Sequence, residues 1–288
     1  MRTLLLDAAA LAARVLPLSV KRALYRFPFL ARLIRQTLNR VAPIGLTEVK
    51  IAAGELAGLT LLLDLQSEKD YWLGVYEPEL QEAVRTLIAP GWVVYDVGAN
   101  IGYVSLLLAK MVGERGRVFA FEALPANVER LRRNLALNGM QTKVEVVAGA
   151  VTQGRGPVRF FVHASGGMGK VEGSAGRTER YQAEVVVDGL SLDEFVYEQG
   201  HPSPQAIKMD IEGGEVLALP GMRRLLAEAR PLLLLELHGP EATRLAWELL
   251  SAANYEICQM CRGFPRLLSP EALDWKAYLV AKPLPTHK

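Results

Sequence analysis

In the middle of the chain, short apolar runs alternate with longer stretches in which apolar residues recur at helical spacing. Trp92 to Val97 is a compact run rich in β-branched and aromatic residues, and Tyr103 to Val112 carries the helical spacing. The pattern predicts a buried strand, a crossover at Gly98 to Gly102, and a helix. Strand-like runs at Val118, Val144, Ile207 and Leu232 then alternate with helical patterns near Asn127, Leu192 and Pro220. This is the order of right-handed βαβ units in a doubly wound α/β sheet, whose ligands lie beyond the carboxyl ends of the strands. One insertion breaks the rhythm: Val158 to His163 and Tyr181 to Val187 read as strands around the glycine- and serine-rich stretch Ala164 to Arg180. We expect a β-hairpin there, with Met168 near its tip, serving as a surface loop or as a substrate lid.

Upstream, Val49 to Ile51 and Leu59 to Leu63 read as strands around a turn at Gly54 to Gly58. Tyr71, Trp72 and Tyr76 then concentrate aromatic area before a helix expected from Pro78 to Ala89, with Glu77 at its start. These four residues either close over the cofactor and form part of the acceptor pocket, or serve as a cap and packing staple. The first 40 residues carry eight basic groups against Asp7 alone, so the net charge of +2 divides into +7 there and −5 elsewhere. That segment reads as short amphipathic helices broken at Pro17 and Pro28, with Ser19 as a cap and Leu24, Phe27, Leu30 and Ile34 available for one face. Such an arm can pack on the rest of the protein or lie on anionic lipid. Asp7 interrupts the apolar run of a signal peptide, and no apolar stretch is long enough to span a bilayer. The expected location is therefore cytoplasmic, with the arm able to touch the inner face of a membrane. The organisation that follows is a basic helical arm over residues 1–45, a connector or cap over 46–90, and an α/β domain over 91–288. Two cysteines argue against a disulfide framework, and the C-x-x-C of Cys258 and Cys261 reads as coincidental spacing within a strand.

The glycine turn narrows the cofactor. A dinucleotide site wants G-x-G-x-x-G, but Asn100 and Tyr103 stand at its second and third glycine positions, which disfavours NAD. Asp96 at the strand end would repel a pyrophosphate but suits an ammonium group, which S-adenosylmethionine carries. Glu122 closes the next strand, where a carboxylate can accept both hydroxyls of a ribose; the alternative is that it caps the helix after Pro125. A second cluster lies at Lys208, Asp210 and Glu212, with Glu236 and His238 ending the following strand. Carboxylates brought together there raise one another's pKa, hold a cation, or pair with Lys208 and His238. For methyl transfer to a hydroxyl, His238 or a carboxylate of raised pKa can take the proton. A divalent ion such as Mg held by Asp210, Glu236 and His238 is the alternative. The bland reading has Lys208 pairing with an acid, and Glu212 and Glu215 capping the turn.

Four motifs together resemble the FkbM-type methyltransferases: Asp-Val-Gly-Ala-Asn-Ile-Gly at Asp96 to Gly102, Phe-Glu-Ala-Leu-Pro-Ala-Asn at Phe121 to Asn127, Ser-Leu-Asp-Glu-Phe at Ser191 to Phe195, and Ile-Lys-Met-Asp-Ile-Glu-Gly-Gly-Glu at Ile207 to Glu215. The resemblance covers Tyr71 to Pro283. Met209 and Ile211 depart from it modestly, and the arm before Leu46 lies outside it. It implies a class I, Rossmann-like fold with a seven-stranded, mostly parallel sheet. It also implies use of S-adenosylmethionine to methylate a hydroxyl on a sugar, glycolipid or polyketide-type natural product. On this resemblance the cofactor positions are Asp96, Gly98, Ala99, Asn100, Gly102, Glu122, Ala123 and Asp210, and the acidic run is Asp210 and Glu212. Expected partners are a small-molecule or glycan acceptor; the oligomeric state is open, a homodimer included. The rival readings are an RNA methyltransferase that uses the arginine-rich arm, disfavoured by the lack of an Asn-Pro-Pro-Tyr run, and a cofactor-binding module without transfer chemistry.

Overall fold

Residues 2–16, 27–163, 168–176 and 181–285 are described by the structure, a computed structural model. They form two compact units, residues 1–78 with 136–138, and residues 79–135 with 139–288. Among the described residues no helix is long and apolar enough to cross a membrane. The expected break at Pro17, the Ser19 cap and Leu24 lie outside the described residues.

The first unit contains helices α1 (Arg2–Val15) and α2 (Pro28–Val41), a hairpin of β1 (Leu46–Lys50) and β2 (Thr60–Asp64), and the short helix α3 (Lys69–Leu73). Proline opens α2 because its fixed φ suits a first helical turn, where no N–H is needed. The hairpin is antiparallel, with Leu46 opposite Asp64 and Lys50 opposite Thr60. Its small core is Ile51, Leu56, Leu61, Leu63 and Leu65. Gly74 ends α3 at φ +68°, where a Cβ would stand 1.9 Å from the Ala53 carbonyl oxygen. Trp72 is buried, and the Tyr71 and Tyr76 rings pack with centroids 4.3 Å apart.

The helices that lie wholly or mostly in the second unit are α4 (Pro78–Leu87), α5 (Tyr103–Val112), α6 (Pro125–Leu137), α7 (Leu192–Tyr197), α8 (Glu215–Ala218), α9 (Arg223–Ala227) and α10 (Pro240–Ala252). The strands up to the insertion are β3 (Val93–Val97), β4 (Arg117–Glu122), β5 (Val144–Ala148) and β6 (Ala150–Val151), and those of the insertion are β7 (Gly156–His163), β8 (Gly169–Val171) and β9 (Tyr181–Leu190). After it come β10 (Ala206–Met209), β11 (Leu232–His238), β12 (Tyr255–Gln259) and β13 (Lys276–Pro283). Seven strands make the central sheet in the order β12-β13-β11-β10-β3-β4-β5. From β11 to β5 the pairs are parallel; β13 runs antiparallel to both β11 and β12. This is the doubly wound, mostly parallel α/β sheet anticipated above.

Continuous apolar runs suit strands covered on both faces, and all seven residues of β11 are buried. Tyr95 of β3, Phe119 and Phe121 of β4 and Phe195 of α7 meet tilted or edge-on, with centroids 5.1 to 5.7 Å apart. The Tyr95 hydroxyl donates to the Pro202 carbonyl at 2.7 Å, so this polar tip is satisfied inside the core. The insertion is more than a hairpin: β7 pairs antiparallel with β8 and β9, and β6 joins the far side of β9, giving a second, four-stranded sheet. Cys258 is buried in β12, its thiol pKa pushed up chiefly by that burial.

Candidate active site

Backbone angle and space together demand the glycine turn after β3. Gly98 has φ +79° and Gly102 φ +90°, the left-handed region that glycine enters without penalty. Asn100 between them has φ +50°, which asparagine tolerates better than most residues. A Cβ on Gly98 would stand 1.9 Å from the Asp210 carbonyl oxygen, and one on Gly102 2.4 Å from Leu131 Cδ1. The Gly98 and Ala99 N–H groups donate to the Phe121 carbonyl at 3.0 and 2.9 Å. The Asn100 N–H donates to Glu122 Oε2 at 2.8 Å, and Glu122 Oε1 accepts from the Leu124 N–H at 2.9 Å and the Asn127 amide at 3.4 Å. Burial pushes the Glu122 carboxyl above its usual range, opposed by the Leu124 and Asn100 N–H groups, by Asn127 and by the charge of Lys208.

Asp96 is fully buried. Its Oδ2 accepts from the Ser105 hydroxyl at 2.6 Å, and Lys208 Nζ forms an ion pair with Oδ1 at 3.2 Å. The same ammonium donates to the Gly98 carbonyl at 2.9 Å. Two expectations are corrected here. Asp96 has no open face toward a cofactor ammonium, and Lys208 is engaged with Asp96 and the turn rather than with an acceptor. These contacts tie both residues into the turn, in line with the reading that pairs Lys208 with an acid.

The second cluster forms where β10 and β11 end side by side. The Asp210 N–H donates to the Val97 carbonyl at 3.1 Å, keeping the chain beside β3 for one residue more. Glu212 at φ +54° and Gly213 at φ +95° then reverse it. Glu215, fully buried, accepts from the Ile211 N–H at 3.1 Å and ties the turn to α8. His238 sits among four acids. Its Nδ1 lies 3.4 Å from Glu215 Oε1, and its Nε2 lies 3.1 Å from Glu236 Oε1, 3.6 Å from Glu212 Oε2 and 4.0 Å from Asp210 Oδ1. Lys276 pairs with Glu236 from β13. Burial alone would lower the His238 pKa; hydrogen bonds to Glu215 and Glu236 and the charges of Glu215 and Asp210 outweigh it and raise the pKa to about 10. The ring is an imidazolium at neutral pH, which corrects the expectation of a neutral His238 acting as base. The metal reading takes a different ligand set. Asp210, Glu215 and His238 each bring one ligand atom within 4.8 Å of the others, with Glu215 where the sequence suggested Glu236. While the ring is protonated and both its nitrogens are turned to carboxylates, His238 offers no lone pair to an ion.

Glu212 and His238 line a cavity of about 210 Å³ whose walls include Met168, Lys170, Tyr181 and Trp275. Met168 therefore belongs to this cavity. The insertion is fastened beside it: the Ala175 N–H donates to the Gly213 carbonyl at 2.9 Å, and a Cβ on Gly213 would stand 2.1 Å from the Ala175 carbonyl oxygen. Ala123 lines a different cavity, of about 440 Å³, with Pro125, Ala148 and Val187. Tyr71, Trp72, Tyr76 and Glu77 belong to the first unit, where Tyr71 and Tyr76 form the tilted ring pair described above.

Residues 96–260, more than half of the chain, match the family model described as the methyltransferase FkbM domain. The chain belongs to the FkbM methyltransferase family. It is 27% identical over 208 residues to the hexuronic acid methyltransferase AglP of Haloferax volcanii, covering 69% of this chain and 80% of that one. To methyltransferase sdnD of Sordaria araneosa it is 29% identical over 156 residues, 45% of this chain and 60% of the other. A protein-L-isoaspartate O-methyltransferase of Aeropyrum pernix is 48% identical over 65 residues, and there the chain spans only a quarter of the relative's length. A crystal structure of methyltransferase FkbM from Methylobacillus flagellatus aligns with TM-score 0.45 and 20% identity, over 77% of this chain and 55% of that one.

In this FkbM methyltransferase the matched segment takes in the glycine turn, Glu122, the acidic turn and His238, but ends before Trp275 and Lys276. Those two, with Lys170 and Tyr181 of the cavity wall, are site residues that sequence reasoning missed, and Glu215 was named only as a cap of the turn. Only Glu215 left a signal, as the second acid of Glu-Gly-Gly-Glu. The family's methyl donor, S-adenosylmethionine, is cationic at both its sulfonium and its ammonium. The donor set fits it: β4 ends in Glu122, Asp210 directly follows β10, Glu236 lies two residues before the end of β11, and four carboxylates outnumber the two cations, His238 and Lys276, in the second cluster.

Proposed function

We propose that this protein methylates a hydroxyl group on a sugar, a glycolipid or a related natural product, and that Glu212 is the base. The observation that carries the reading is the cavity in which Glu212 and His238 lie together beside aromatic and basic walls. Aromatic faces and fixed polar groups suit a polyhydroxylated acceptor. That the relative AglP is described as a hexuronic acid methyltransferase supports a sugar acid.

When bound, S-adenosylmethionine supplies an electrophilic methyl group. Glu212 has the freedom to meet an acceptor, because its side chain is 45% exposed whereas those of Glu215 and Glu236 are buried. It accepts the hydroxyl proton as the oxygen attacks. His238 stays protonated and holds the carboxylates in place by its charge, and Lys276 does the same for Glu236 from the other side. The Gly98 to Gly102 turn and Glu122 lie at the cofactor edge, and Lys208 with Asp96 keeps that turn in shape.

The test offers labelled methyl donor with uronic-acid oligosaccharides, neutral oligosaccharides and RNA. Label in a saccharide fraction is the expected result; label in RNA alone would overturn the reading. Glu212→Gln should lower turnover by about 10²- to 10⁴-fold, the usual worth of a general base, while calorimetric affinity for S-adenosylhomocysteine stays unchanged.

A further inference from the structure

The outward faces of the first two helices do not match the usual pattern of a surface helix. On α1, Ala13 is buried, whereas Leu5, Ala8, Leu11, Ala12 and Val15 are exposed, Leu11 by 60% and Val15 by 70%. Their spacing of three and four places them on one stripe. On α2, Leu38 is buried, and the opposite face presents Phe29, Arg32, Leu33, Gln36 and Arg40, with Phe29 80% exposed. Ile44, just after α2, is 93% exposed. A helix whose buried side is already apolar normally turns polar residues to water. Among the described residues one outward stripe is aliphatic, with exposed Arg14 beside it, and the other alternates aromatic or aliphatic side chains with arginines. The α2 sequence contains no acidic residue, and Asp7 is the one acid in the first 40 residues.

From these faces we infer that the first unit docks on an anionic lipid surface through α1 and α2. Apolar side chains backed by arginines are what an interfacial helix needs, because burial in the headgroup boundary adds to attraction for anionic lipid. The charge division favours lipid over a second copy of the chain. Two arms of +7 would repel each other, whereas each is attracted to an anionic surface. Neither helix is long enough to span the bilayer, so the contact is peripheral. The inference does not depend on the identity of the methyl acceptor.

Flotation of the full chain with phosphatidylcholine vesicles, with and without phosphatidylglycerol, tests it. Expected is binding only where phosphatidylglycerol is present, weakening as salt rises. Arg32→Gln and Arg40→Gln should each weaken binding about fivefold, the equivalent of about 1 kcal/mol per basic residue near the surface. Leu11→Glu with Phe29→Glu should abolish it. All four positions are exposed, so the variants should keep the circular dichroism and S-adenosylhomocysteine affinity of the parent chain. Wild-type protein left in the aqueous phase at low salt overturns the proposal, as do glutamate variants that float like wild type. So does a dimer, measured by light scattering, that Leu11→Glu with Phe29→Glu dissociates while flotation is unaffected.

Discussion

The proton on His238 should make the stability of the fold depend on pH in one defined window. The ring's ordinary pKa of 6.5 is raised to about 10 in the folded chain. Below about pH 6.5 the ring is charged in both folded and unfolded states, and its pairing with Glu215 and Glu236 contributes fully. Between about 6.5 and 10 the unfolded chain releases the proton and the folded chain keeps it, so stability falls by up to about 1.4 kcal/mol per pH unit. Across the whole window the loss approaches about 5 kcal/mol as an upper value, since the surrounding acids relax once their partner is neutral. The assay is urea unfolding at several pH values from 6.5 to 10, on wild type and on His238→Gln. The variant should be the less stable protein at pH 6.5 and should lack the fall, so the two curves converge as pH rises. Other groups that titrate in this range are common to both proteins and cancel in the difference. Parallel curves across the window would refute the imidazolium assignment. A turnover that switched on with an apparent pKa near 6.5 would refute it independently, because that limb belongs to a neutral histidine base.

Three further outcomes follow from the same geometry. Gly98→Ala combines a left-handed backbone with a Cβ placed 1.9 Å from the Asp210 carbonyl oxygen; it should cost at least about 3 kcal/mol in unfolding and weaken calorimetric S-adenosylhomocysteine binding strongly. Lys208→Met leaves Asp96 buried beside Ser105 without its cation; thermal unfolding should register a loss of about 3–5 kcal/mol, partly restored by adding Asp96→Asn. Methyl transfer should proceed undiminished in excess EDTA, and loss of turnover restored by magnesium would return the acidic cluster to a metal site.

Strands buried on both faces announce themselves, and this is why the parallel strands of the central sheet were readable in the sequence. The run expected from Trp92 to Val97 is β3 from Val93 to Val97, and the run expected at Ile207 is β10 from Ala206 to Met209. The insertion was not readable to the same depth. With two and three residues, β6 and β8 are too short to carry an alternation, and each exists because β9 or β7 offers it a backbone to pair with. The acid at the end of β3 shows the same limit in side-chain terms. An aspartate there reads identically whether it faces a ligand or the interior. What decides between them is Lys208, brought opposite Asp96 by the register of β10 on β3.

His238 carries that reasoning one step further, because its chemical role depends on how many acids surround it and not on its residue type. A histidine at a strand end beside one carboxylate is a fair candidate for a base near neutral pH. Glu236, two residues earlier on the same strand, is visible from alternation alone. Glu215 reaches the ring because Glu212 and Gly213 take left-handed angles and return the chain toward β11. Lys276, opposite His238 in the antiparallel β11–β13 pair, compensates Glu236 in turn. Each added acid makes the proton harder to remove, so the ring passes from base to fixed cation while its own sequence neighbourhood stays the same. The task of accepting a proton then falls to Glu212, whose side chain keeps an open side toward the cavity.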